Sequence, residues 1–145
     1  CGAGMRVYAL KTYDIDTEGL EIDKWVCDNS PFKGFKVIND TVYNLSNYYN
    51  TQIFDAVICY DLCEHLMYEK IDEVLKNIFN ILKINGSVVF SIPFIGDPNL
   101  EADPTHIIKE TKEWWINKIK NAGFDIIPTP EHFLFKEQMI IGAKK

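Results

Sequence analysis

The sequence predicts an α/β protein built on a mostly parallel sheet. Two observations carry this expectation. Short apolar runs alternate with helix-period segments along the whole chain, the order expected of βαβ units. The first two runs end in acids, Glu21 and Asp40, and in open α/β sheets ligands bind beyond the carboxyl ends of the strands.

The elements follow in order. Gly2-Ala3-Gly4 precedes a helix expected from Met5 to about Tyr13, and its glycines let the backbone approach a ligand at the helix start. Gly19-Leu20-Glu21-Ile22 and Phe35 to Asp40 read as strands. Phe54-Asp55-Ala56-Val57-Ile58-Cys59 is nearly all apolar, the pattern of a strand buried on both faces. Ile71, Val74, Leu75, Ile78 and Leu82 form one helical stripe, and Asn85-Gly86 is expected to supply a left-handed stop. Ser87 to Ile92 reads as a strand stopped by Pro93. Gly96, Pro98 and Pro104 mark Asp97 to His106 as a substrate-side loop. Thr111 suits the N-cap of a helix running to about Ala122, with Trp115, Ile119 and Ala122 on one face and Gly123 to end it. One of Trp114 and Trp115 is expected as a core anchor and the other as a partly exposed ring. Phe124 to Ile127, Phe133 to Phe135 and Gln138 to Ile141 read as the last strands, and His132 as a surface loop residue.

Composition bounds the function. The 145 residues suit one domain, with 47% hydrophobic and 25% charged residues, as in ordinary globular proteins. A net charge of −6, and basic residues that are Lys except for Arg6, argue against a nucleic-acid partner. No apolar run approaches the roughly 18 residues of a membrane helix, and Cys1 to Arg6 show no charged-then-apolar signal layout. The four cysteines, Cys1, Cys27, Cys59 and Cys63, are read as structural or incidental thiols in a reducing, cytoplasmic compartment.

Glu21 lies 17 positions after Gly4, close to the roughly 20-residue spacing at which an acid meets ribose hydroxyls in nucleotide folds. Asp40 is placed to accept from an adenine amino group. A dinucleotide fingerprint would need a third glycine where Val7 stands, which disfavours a nicotinamide-dependent oxidoreductase.

These pieces together resemble a class I S-adenosylmethionine-dependent methyltransferase of the small-molecule kind. The resemblance runs through Cys1-Gly2-Ala3-Gly4, Gly19 to Asp23, Asn39-Asp40, Phe54 to Leu66, Ile81 to Pro93, and Asp103-Pro104-Thr105-His106 with the helix after Thr111 and Ala122-Gly123-Phe124. It implies a Rossmann-like methyltransferase fold, a mostly parallel twisted sheet with an antiparallel C-terminal strand and helices on both faces. It implies S-adenosylmethionine as cofactor and a small-molecule methyl acceptor as partner. Gly2 and Gly4 would pack under the methionine and ribose. Glu21 would bind the ribose hydroxyls, and Ile22 would lie on the adenine face. Asp40 and the Thr41 backbone would read adenine, and Cys59 to Asp61, Tyr60 among them, would wall the methionyl end. The family's first motif normally begins with an apolar strand and an acid before the glycines. The expectation is therefore a single domain over residues 1–145 that lacks its central first strand and leaves two strand edges exposed.

Methyl transfer from a sulfonium is an in-line displacement in which the protein aligns, desolvates and, for an oxygen nucleophile, takes a proton. Asp61, His65 and His106 are the catalytic candidates, with Glu64 beside them; His is the natural base near neutral pH. Asp61-x-x-Glu64-His65 is also similar to a Glu-x-x-Glu-His segment with which some methyltransferases bind a divalent metal. The reading taken is no metal, with Glu64 and His65 orienting a loop. The alternative is a metal set of Asp61, Glu64, His65 and His106 in a metal-assisted O-methyltransferase. A non-catalytic methyltransferase-like subunit is the other alternative. The acceptor, the atom methylated and the oligomeric state have no signature in the chain.

Overall fold

A computed structural model describes residues 1–133 and 136–145. The chain forms two compact units, Cys1–Leu45 and Ser46–Lys145.

The first unit runs α1 (Met5–Lys11), β1 (Glu18–Glu21), α2 (Lys24–Asn29) and β2 (Lys36–Asn39). Gly4 starts α1 with φ 84°. A Cβ there would meet the outer edge of the Phe35 ring, and the left-handed φ is what requires glycine. α1 ends at Lys11, two residues earlier than expected, where the Thr12 N–H folds back onto Tyr8 and Ala9 carbonyls. β1 and β2 pair in parallel, with Glu18 opposite Lys36 and Glu21 opposite Asn39. Asp23 caps α2 by accepting from the Val26 N–H.

The second unit runs β3 (Phe54–Tyr60), α3 (Ile71–Ile81), β4 (Leu82–Ser91), α4 (Pro98–Ala102), α5 (Lys112–Asn121), β5 (Asp125–Ile127) and β6 (Met139–Ala143). Its sheet has the order β3-β4-β6-β5. β3 and β4 are parallel, and β6 runs antiparallel to both β4 and β5. β6 is thus the one antiparallel strand of this sheet among the described residues, at the C-terminal position the sequence implied. The strand expected at Phe133 to Phe135 falls on Leu134 and Phe135, which lie outside the described residues.

The α3 stripe forms the centre of this unit's core. Ile71, Val74, Leu75, Ile78 and Leu82 are all buried, with Phe90, Trp115 and Ile119. Full burial of each such side chain contributes about 1.5–3 kcal/mol. Leu75→Ala is therefore expected to lower stability by about 2–5 kcal/mol in a denaturant titration; an unchanged midpoint would contradict this packing. Trp115 is the core anchor and Trp114 the partly exposed ring, as expected.

Three expectations need correction. β3 is not buried on both faces: Cys59 is buried, but Asp55 and Ala56 are exposed and Ile58 is 46% exposed. The reason is its place at the edge of the sheet, paired among the described residues with β4 alone. Second, Asn85-Gly86 does not stop the helix. α3 ends at Ile81, and Leu82 is already extended. The Lys144 ammonium donates to the Phe79 and Leu82 carbonyls (2.9 and 2.7 Å), supplying a cation at the helix end. Asn85 keeps a left-handed φ of 65°, but it serves a bulge in which Lys83 to Gly86 lie opposite Asp55. Third, the segment from Asp97 to His106 is not all loop. Asp97 accepts from the Asn99 N–H, Pro98 takes the first helical position, and α4 follows.

Among the described residues, no helix is long and apolar enough to cross a membrane.

Candidate active site

The first unit gathers its expected site residues at the carboxyl ends of β1 and β2. Glu21 Oε2 accepts from the Gly2 N–H at 2.6 Å and the Cys1 amine at 2.9 Å, and Oε1 accepts from the Asp23 N–H at 3.0 Å. Burial opposes ionisation of this carboxyl, but the hydrogen bonds it accepts, among them those from the Asp23 and Gly2 N–H groups, outweigh it and hold the pKa below the usual carboxylate range. The glycine segment is thereby tied to the end of β1. The Asn39 amide donates to the Glu21 and Ile22 carbonyls (2.9 and 3.0 Å), and the Asp40 N–H to the Glu21 carbonyl (3.1 Å). Asp40 Oδ1 accepts from the Thr41 N–H at 2.7 Å and the Asn44 amide at 2.9 Å. Ile22 is 70% exposed beside these acids. A Cβ on Gly2, whose φ is 56°, would meet nothing within 4 Å, so that backbone is open to an approaching group. Asn39 is a positioning residue that periodicity alone does not single out, because its role depends on the β1–β2 register.

The second unit gathers a different set after β3. Asp61 turns the chain with a left-handed φ of 48° and donates its N–H to the Ser91 carbonyl. A 3-10 turn, Cys63–His65, follows. The Glu64 carbonyl accepts from the N–H groups of Ile107 and Ile108 (2.8 and 2.9 Å), which pins the segment carrying His106 against this turn. His65 and His106 stack edge-to-face with centroids 4.7 Å apart.

Hydrogen bonding assigns both tautomers. His65 Nδ1 lies 3.2 Å from the Thr105 carbonyl and 3.0 Å from Thr105 Oγ1, whose own proton goes to Asp103 Oδ1. His106 Nδ1 lies 3.1 Å from the Leu100 carbonyl. A carbonyl only accepts, so each Nδ1 carries the proton and each neutral ring presents an Nε2 lone pair. His106 Nε2 is 4.0 Å from Glu64 Oε1 and 3.9 Å from Asp103 Oδ2.

Glu64 is fully buried, and neither carboxylate oxygen has a hydrogen-bond partner among the described residues. Burial pushes its carboxyl up to about 7. Its own N–H and that of Leu62 pull it back without reaching hydrogen-bond geometry; the Asp61 charge adds to the rise and His106 opposes it. The metal-binding atoms of Glu64, His65 and His106 all lie within 4.8 Å of one another. Asp61, also proposed from sequence, is not brought into that group. Asp103, Thr105 and the Leu100 carbonyl orient the imidazoles; Asp103-Pro104-Thr105-His106 was visible as a motif, but their orienting contacts were not.

Cys59 and Tyr60 end β3. Burial pushes the Cys59 thiol up to about 12, and burial with the Cys59 and Glu64 charges raises Cys63 well above its ordinary range. All four cysteines are free thiols, with Cys1 exposed and Cys27 half-buried. Iodoacetamide is therefore expected to label Cys1 and Cys27 in the native protein, and Cys59 and Cys63 only after unfolding. Native labelling of all four at similar rates would contradict the burial.

Residues 1–90 match the family model described as a methyltransferase domain. The chain belongs to this methyltransferase family. Among solved structures, an S-adenosylmethionine-dependent methyltransferase of Archaeoglobus fulgidus superposes with a TM-score of 0.81 at 19% identity, over 99% of this chain and 83% of that one. A protein of Pyrococcus horikoshii gives 0.79 at 13% identity, over 100% and 80%. An S-adenosylmethionine-dependent methyltransferase of Thermotoga maritima gives 0.72 at 17% identity, over 99% and 78%. At these identities the likeness establishes the fold, which is Rossmann-like. No curated protein sequence matches the chain with significance. In the methyltransferase domain, the matched region holds the glycine segment, Glu21, Asp40 and the Glu64-His65 turn, while His106 lies beyond it.

Proposed function

We propose that residues 1–145 act as one methyltransferase domain that moves the methyl group of S-adenosylmethionine to a small-molecule acceptor. The observation that carries this reading is Glu21, held ionised at the end of β1 by backbone N–H groups, with Asp40 and exposed Ile22 beside it. A carboxylate has about four lone-pair sites, so Glu21 can accept from a ribose hydroxyl in addition to its N–H partners. Asp40 and the Thr41 backbone suit the adenine edge, Ile22 its face, and the open Gly2 backbone the rest of the adenosyl group, with Gly4, buried against Phe35, turning the chain into α1. Cys59 and Tyr60 are assigned to the methionyl end. When bound, the cofactor supplies an electrophilic methyl on a sulfonium.

The chain's own groups orient the acceptor and handle its proton. Asp61, His65 and His106 are the candidates. The two imidazoles favour the role, because a ring whose Nδ1–H bonds a carbonyl presents, when neutral, its Nε2 lone pair to the acceptor's proton. With hydroxyl or amine acceptors and S-adenosylmethionine, the domain is expected to release S-adenosylhomocysteine. His65→Ala and His106→Ala should slow that release about 10²–10⁴-fold, the usual contribution of a positioned base, without changing cofactor affinity. Release unaffected by either substitution would remove the base assignment.

A further inference from the structure

The Glu64, His65 and His106 cluster contains more than a proton-handling site needs. Glu64 is fully buried, yet both of its oxygens lack a hydrogen-bond partner among the described residues. Buried carboxylates are costly unless something compensates them. On the facing segment His106 Nε2 lies 4.0 Å from Glu64 Oε1. In the neutral ring that nitrogen is itself an acceptor, because the Leu100 carbonyl, 3.1 Å from Nδ1, can only accept. His65 repeats the arrangement, with Nδ1–H directed at Thr105 and Nε2 left as a lone pair. With Glu64 ionised and both rings in the Nδ1–H form, three electron-pair donors thus converge. Fixing Nδ1–H on a carbonyl is also the orienting contact that accompanies metal-bound imidazoles.

We propose that Glu64, His65 and His106 hold a divalent first-row transition-metal ion. Two imidazole nitrogens and one carboxylate oxygen suit zinc, cobalt or manganese better than magnesium, which prefers an all-oxygen shell. The three binding atoms lie within 4.8 Å of one another. Neighbouring ligands at about 2.0–2.2 Å from one ion in a tetrahedral shell lie roughly 3.3–3.6 Å apart, so the side chains must close by somewhat more than an ångström, within reach of side-chain rotations. Asp103 Oδ2, 3.9 Å from His106 Nε2, stands beside the cluster and adds negative charge. An ion there takes both Nε2 lone pairs. A metal-loaded domain then keeps only Asp61 of the three proton-handling candidates.

The test needs no cofactor, so its failure is separable from failure of the methyl-transfer reading. Titrating cobalt(II) and zinc(II) into the metal-free chain is expected to give one site per chain. The cobalt form should show visible d–d bands without a sulfur-to-cobalt charge-transfer band. Glu64→Gln and His106→Ala should each weaken binding at least tenfold, while His132→Ala, at an exposed turn residue, should leave it unchanged. Glu64→Gln removes an uncompensated buried anion and keeps the side chain's shape, so loss of binding in that variant is not a folding defect; circular dichroism checks this. Absence of stoichiometric binding, binding unaffected by Glu64→Gln and His106→Ala, or a charge-transfer band assigning the ion to thiolates would each overturn the proposal.

Discussion

In metal-free buffer at pH 8, Glu64→Gln is expected to be more stable than the parent chain by about 3 kcal/mol, and at pH 4 nearly equal to it. The sign follows from the direction of the shift. The carboxyl rises from its ordinary value of 4.5 to about 7 on folding. Below 4.5 it is protonated in both states and contributes no pH dependence. Between 4.5 and 7 the unfolded chain releases the proton while the folded chain keeps it. Stability falls through that window by up to 1.36 kcal/mol per pH unit, and the full penalty persists above 7. Glutamine keeps the shape without the ionisation, so the difference between the two proteins isolates Glu64 from every other titrating group. Urea titrations of both proteins from pH 4 to 8 measure it. A constant difference across that range would show that Glu64 is not held protonated by its burial. A saturating divalent ion should erase or reverse the difference at pH 8, because ligand binding to the folded state adds stability.

The second large effect is expected at Glu21. Glu21→Ala removes the carboxylate that would meet the ribose and also releases the Gly2 and Asp23 N–H groups that it now holds. Hydrogen bonds to a charged group contribute about 1.5–3 kcal/mol each. Losing one to the ligand and the ordering of the glycine segment should weaken S-adenosylmethionine binding by about 100-fold or more. Glu21→Gln should fall between, since an amide oxygen still accepts but without charge. Equal affinity in all three proteins would place the adenosyl group elsewhere.

The parts of the fold that depend on local pattern were legible in the sequence. The α3 stripe from Ile71 to Ile78, the Thr111 cap and the acids at the ends of β1 and β2 are set by residues a few positions apart, and they form as spaced, while Leu82, expected in the same helix, begins β4. What depends on distant partners was not. The composition of β3 indicates burial on both faces, but its place at the sheet edge leaves Ile58 exposed. The left-handed residue at Asn85 was expected, yet the bulge it makes depends on Asp55, thirty positions earlier. Glu64 and His65 were visible as a motif. Their convergence with His106 depends on the Ile107 and Ile108 N–H groups reaching the Glu64 carbonyl, and the Nδ1 assignments depend on carbonyls at Leu100 and Thr105. No spacing rule encodes a carbonyl's direction.

The central claim is that the acids at the ends of β1 and β2 bind an adenosyl cofactor for methyl transfer. It is tested most directly by calorimetric titration of S-adenosylmethionine into the chain, with nicotinamide adenine dinucleotide as the comparison ligand. The expected result is saturable one-to-one binding of S-adenosylmethionine, competed by S-adenosylhomocysteine, and no binding of the dinucleotide. Absence of S-adenosylmethionine binding by the folded chain, or tighter binding of the dinucleotide, would contradict it.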